Sequence, residues 1–208
     1  MPPTDPFRGS EGGRVKGPPF ISPDGKTMHF GERYRERTDD GWSEMKSLGS
    51  PYEDIRIMVL TASSKGTYVF DEAGTGGVDS IRSSRIIDGK REEPKLLSKE
   101  INSGKWNAHP FIAPDESYII WDGERDSGYG DNDIYISFRQ RDGSWGAAIN
   151  LGDKINTGAE DSGGKVTPDG KYLFFNRQIS PEDYDIYWVD AQIIETLRHS
   201  DALRRNGE

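Results

Sequence analysis

Cysteine is absent from this 208-residue chain, which removes disulfides, thiolate metal sites and cysteine nucleophiles together. It also leaves the compartment open. Apolar residues are scarce, at 32%, and no run of them approaches the roughly 18 residues that a membrane-spanning helix needs. No block of lysine and arginine is long enough to neutralise a series of phosphates. With a net charge of −9 and a pI near 5, the electrostatic footprint of a nucleic-acid binder is missing. The opening, MPPTDPFRGSEGGRVKGPP, lacks the apolar core of a secretory signal. Its proline, glycine and polar content predicts a flexible leader over residues 1–16, or the remnant of a longer parent.

Glycine (25), proline (12) and aromatics (11%) are plentiful instead. That mixture suits many short strands joined by tight turns, and the expected class is all-β. The length fits one ordinary domain or a piece of a larger all-β one.

The chain repeats itself. SPDGKTMHF (22–30), ASSKGTYVF (62–70), APDESYIIW (113–121) and TPDGKYLFF (167–175) align without gaps, at spacings of 40, 51 and 54 residues. Each closes on an aromatic: Phe30, Phe70, Trp121 and Phe175. This is the blade length of a propeller. Within each copy a Pro-Asp-Gly-type turn joins two runs rich in β-branched and aromatic residues, so each reads as a hairpin. VDSIRSSRIIDGK (78–90) matches DIYISFRQRDGS (133–144), and LSKEIN (97–102) matches LGDKIN (151–156). The full unit is therefore four strands, with Asp-Gly turning the third into the fourth.

PFIAPDESYIIW, GDNDIYISF, RDGSW and NLGDKIN together resemble the WD-repeat-like β-propeller repeats of the TolB-like superfamily, over residues from about 17 to 190. The resemblance implies a propeller fold and little about activity, because propellers host unrelated functions. It also implies relatives exported to the bacterial envelope, periplasmic or extracellular. The blades are expected at 17–52, 53–104, 105–158 and 159–190, the first abbreviated and the last ending after its third strand, DIYWVD (185–190). Six or seven blades usually close such a ring. A four-bladed ring, a homodimer through the open blade edges, and a fragment of a longer protein all remain open, and the resemblance favours a chain shortened at its N-terminus. After Asp190 the period changes: Ile193, Ile194 and Leu197 share one helical face, predicting a short C-terminal helix and tail over 191–208.

If the third hairpin turns over Pro114–Ser117, His109 stands opposite Asp122, with Trp106, Asn107 and Arg125 at the same end. In a propeller that end borders the mouth of the central channel. Glu160 and Asp161 fall on the same face one blade later. These seven residues form the candidate ligand-binding set, with His109 oriented by Asp122, and Arg125 and Trp106 holding an acidic or sugar-like ligand. A half-buried histidine bonded to its neighbour is the structural alternative. Arginine recurs at the second-strand ends, as Arg33, Arg125 and Arg177, which is how a brace behaves.

Asp126, Asp131, Asn132 and Asp133 offer oxygen ligands for Ca²⁺, but not in the order of an EF-hand. Asp133 recurs as Asp79 and Asp185, the pattern of a strand-start residue. Paired carboxylates could be drawn from Glu53, Asp54, Glu160 and Asp161. No cofactor motif, nucleophile elbow or phosphate loop is present, and Trp42 and Trp145 read as blade-edge packing. The expected function is a non-catalytic scaffold binding a protein or glycan. Its rival is a carbohydrate-active lyase or hydrolase working on an acidic polysaccharide with His109 or a carboxylate as base.

Overall fold

The computed structural model describes residues 18–74 and 79–206; the leader expected over 1–16 lies outside them. Four antiparallel sheets follow one another along the chain, each built outward from a hairpin on one of the repeated turns. The first contains β1 (Phe20–Ile21), β2 (Thr27–Phe30), β3 (Arg33–Thr38), β4 (Gly41–Trp42) and β5 (Lys46–Ser47). Its outer strands are two residues each, as the short spacing between Phe30 and Asp40 predicts. The second contains β6 (Leu60–Ala62), β7 (Tyr68–Glu72) and β8 (Ser80–Ser84), then a separate hairpin of β9 (Ile86–Ile87) and β10 (Lys90–Arg91), and closes on β11 (Lys95–Leu96). The Asp88-Gly89 turn thus closes that small hairpin and does not join the third strand directly to the fourth; both residues take positive φ, 50° and 74°.

The third sheet is β12 (Trp106–Ile112), β13 (Tyr118–Glu124), β14 (Asp133–Phe138) and β15 (Ile149–Asn150). The fourth has three strands only, β16 (Asp161–Val166), β17 (Tyr172–Ser180) and β18 (Asp183–Asp190). A helix, α1 (Gln192–Asn206), follows. The Asp190 carboxylate accepts from the Gln192 amide at 2.8 Å, which caps its first turn. Ile194 is buried against the third and fourth sheets, with Ile193 and Leu197 packed beside it.

The closing aromatics Phe30, Phe70, Trp121 and Phe175 are all buried, and the last three each belong to a hydrophobic cluster of the core. Sheets stack face to face: Phe111, Ile120, Ile134 and Ile136 of the third meet Leu173 and Phe175 of the fourth. Gly164 permits the close approach, since a Cβ there would lie 2.9 Å from Ile120 and 3.1 Å from Ile134. After the fourth strands, Asn102 and Asn156 each exchange two hydrogen bonds with the backbone of the third strand, at Ile81 and Ile134. These recur because they are scaffold.

Among the described residues no sheet follows on the far face of the fourth sheet. Tyr172, Phe174, Tyr184, Ile186 (72% exposed) and Trp188 (60% exposed) lie bare on it, and β18 pairs on one side only. No helix among the described residues is long and apolar enough to cross a membrane.

Candidate functional site around His109

The β12–β13 ladder pairs Phe111 with Ile120 as the turn predicts, but then pairs Ala108, and not His109, with Asp122. The cause is a bulge between Ala108 and Phe111, with His109 in the left-handed region at φ 47°. The bulge turns the imidazole back, so Nδ1 still lies 3.1 Å from both oxygens of Asp122. The sequence-based opposition is wrong in register, although the two side chains meet.

The same bulge recurs one blade later, at Gly163 with φ 68°. Each bulge amide is capped by a carboxylate from the blade before it. The His109 N–H donates to Asp71 at 3.0 Å, and the Gly163 N–H donates to Asp122 at 2.9 Å. Asp71 and Asp122 occupy equivalent places, one residue beyond the closing aromatics Phe70 and Trp121. Both are fully buried. The other oxygen of Asp71 accepts from Met58 and Val59 at 2.8 and 2.9 Å. Burial raises the pKa of Asp71, with its backbone donors pulling the other way.

His109 therefore touches two buried carboxylates, one through its ring and one through its amide, and its side chain is 27% exposed. Burial opposes its charge, but the adjacent Asp122 carboxylate, aided by Asp71, outweighs burial and raises its pKa to about 9, with Lys165 acting against. Since Nδ1 is held by Asp122, Nε2 is the ring atom left to meet a ligand. Lys165, half-buried on β16, has its pKa lowered by burial, and no carboxylate among the described residues pairs with it.

The remaining predicted residues separate into site and brace. Trp106 packs edge-on to His109 at 5.6 Å between centroids and donates its indole N–H to Asp79 at 2.6 Å. Asn107 is buried and accepts from the Trp121 indole at 3.2 Å. Arg125 reaches the Ile101 carbonyl at 2.9 Å and lies over Tyr135 at 4.6 Å; Arg177 reaches the Ile155 carbonyl at 2.6 Å and lies over Tyr187 at the same 4.6 Å. Two arginines making one set of contacts in successive blades are braces. Arg33 departs from them, as an exposed side chain near Glu32. Asp161 is fully committed, to Arg177 and to Thr157, while half-buried Glu160 takes only the Tyr184 hydroxyl, at 3.0 Å.

The calcium candidates are not assembled. Asp126 is exposed and pairs with Lys105, Asp131 is exposed, and Asp133 is buried, accepting from Tyr129 and Asn150. Among the described residues no three acidic or histidine side chains are grouped to hold a metal. Sequence reasoning missed Asp71 and Lys165. The position of Asp71, aligned with Asp122 just after a closing aromatic, was the available signal.

No protein-family model matches the chain, and no curated protein does. Solved structures do. The TolB-type structure from Agrobacterium tumefaciens superposes with a TM-score of 0.54 at 17% identity, over 85% of this chain and 58% of that one. TolB from Acinetobacter baumannii gives 0.51 at 15% identity, over 88% and 44%, and a puromycin hydrolase variant gives 0.50 at 16%, over 90% and 32%. The chain thus spans about half the length of the TolB structures it matches. The stacked antiparallel sheets, the repeated clamps and these superpositions together define the chain's fold as that of a TolB-like β-propeller, in a four-blade arrangement.

Proposed function

We propose that the protein is a non-catalytic binding scaffold that holds a protein or glycan ligand at the channel-mouth face. The observation that carries this reading is His109, a histidine in a left-handed bulge where the next blade uses Gly163. A non-glycine residue there costs roughly 1–2 kcal/mol, and residues held in such conformations collect at binding and active sites. The imidazole presents Nε2 beside Trp106, and Lys165 adds a cation without a carboxylate partner. His109 and Lys165 thus offer two cationic donors in front of the buried Asp71 and Asp122 carboxylates, and an acidic group on the ligand would match those donors.

The lyase or hydrolase reading is weakened by the same geometry. A histidine with a pKa of about 9 is protonated at neutral pH and has no lone pair with which to accept a proton. Amide-shift titration of labelled protein with acidic and neutral oligosaccharides and with short peptides tests the proposal. Shifts gathered around 106–109, 122 and 163–165, with no product formed, would support it. Turnover, or shifts confined to another face, would replace it.

As a protein partner we infer a second copy, docked on the bare face of the fourth sheet. The equivalent faces of the second and third sheets are each covered by a following sheet. The bare face is apolar, carrying Tyr172, Phe174, Tyr184, Ile186 and Trp188, and β18 leaves its outer edge unpaired beside it, which suits a second sheet of the same kind. Light scattering on the gel-filtration peak should give about twice the 23.3 kDa chain mass, with Trp188→Ser returning it to the monomer. A wild-type monomer at high concentration would sink the dimer and leave the channel-mouth reading untouched.

A further inference from the structure

A cavity lies in the cleft between the first two sheets, away from His109. It measures about 310 Å³ and is bounded by the β1–β2 turn (Ser22, Asp24), the β6–β7 turn (Ser63, Gly66), and the side chains of His29, Tyr68 and Arg91. That volume falls at the lower end of the range for small-molecule sites, roughly 300–1,000 Å³.

One polar atom at this cavity lacks the partner that buried polar groups normally find, and one half-buried cation beside it has no counter-charge. His29 is 2% exposed, and its Nδ1 is buried with no hydrogen bond. Its ring is fixed edge-on to Tyr68 at 5.2 Å and beside Tyr34 at 6.3 Å. Burial first, and then the Arg91 charge, push its pKa down to about 4, so it is neutral at ordinary pH and can give or accept a hydrogen bond as the tautomer allows. Arg91 stacks on the Tyr68 ring, its guanidinium carbon 3.5 Å from the centroid, and spends one nitrogen on the Ser84 carbonyl at 3.1 Å. No carboxylate among the described residues pairs with it. Arg82, Arg85, Arg177 and Arg198 each have an acidic partner, whereas Arg125 meets its needs with the Ser103 hydroxyl and the Ile101 carbonyl.

We propose that this cleft is a binding site for a small molecule carrying one carboxylate, seated against the Arg91 guanidinium with the His29 ring and Tyr68 as its walls. A planar guanidinium fork matches a carboxylate in two parallel hydrogen bonds. The site holds one cation, a neutral imidazole and an acidic rim residue, Asp24, which suits a single negative charge and not a phosphate dianion. The aromatic wall and the modest volume suit a compact ring or short apolar body. The inference does not depend on the channel-mouth reading.

The test uses benzoate as probe and benzamide as its neutral counterpart, on the full chain. Benzoate should move the His29 ring-nitrogen resonances and the Tyr68 amide in a saturable way, and benzamide should bind roughly ten- to a hundredfold more weakly. Arg91→Gln should remove the benzoate response. Arg91→Lys, which keeps the charge and loses the fork, should weaken it by roughly tenfold. Amide shifts remote from the cleft report whether either variant is still folded, and a variant that has lost them is set aside in favour of the other. No response of His29 to benzoate, an equal response to benzamide, or a benzoate response that survives both arginine variants would overturn the site.

Discussion

Replacing His109 with glycine sets two effects of known sign against each other, and pH decides which wins. Removing the side chain relieves a left-handed backbone at φ 47°, worth roughly 1–2 kcal/mol, of which the added freedom of glycine in the unfolded chain takes back part. It also deletes the imidazolium from the buried Asp122 carboxylate. A histidine whose pKa rises from 6.5 to about 9 on folding gains about 3 kcal/mol from its surroundings when protonated. Because the folded pKa is the higher one, that gain is complete below pH 6.5 and drains away as pH rises through about 9. His109→Gly should therefore destabilise by about 2 kcal/mol at pH 6 and be neutral or slightly stabilising near pH 10. Denaturant unfolding followed by tryptophan fluorescence, wild type beside variant at each pH, gives the difference directly. A destabilisation that stays constant from pH 6 to pH 10 would refute the ion pair as the source of the histidine's contribution.

Asp122→Asn keeps the shape and removes the charge, so the pKa of His109, read by NMR, should fall to 7 or below, with stability reduced by roughly 3 kcal/mol at neutral pH. Asp71→Ala strips the partner from three backbone amides, those of Met58, Val59 and His109, and should cost roughly 3 kcal/mol or more in chemical denaturation. A loss below about 1 kcal/mol would mean that water replaces the clamp. Gly164→Ala presses a methyl group into Ile120 and Ile134 and should lower stability by roughly 1–3 kcal/mol, whereas the same change at Gly158, where a Cβ meets nothing within 4 Å, should be near neutral.

Repeat spacing made the architecture legible, because the residues that recur are those that every blade needs. The closing aromatics, the turn residues, the Ile-Asn pairs and the paired arginines could be found by aligning the chain with itself. The register at His109 could not, because a bulge adds one residue to one strand and leaves no trace in an alternating pattern. Asp71 was hidden for another reason. The group it caps is a backbone amide 38 residues away, and an amide has no letter in the sequence. Arg125 was legible as a brace from its recurrence and also drew a ligand role from its place; its contacts to Ile101 and Tyr135 are those of the brace. Lys165 stood out in neither way, since what distinguishes it is the lack of a partner, and that is a property of the folded molecule.

The clamps have a direction. In both, the carboxylate belongs to the earlier blade and the amide to the later one: Asp71 reaches forward to His109, and Asp122 to Gly163. As the chain leaves the ribosome, each blade is complete before the strand it must cap is made. Growth can then proceed like a templated stack, with each finished layer offering the next its first fixed contact.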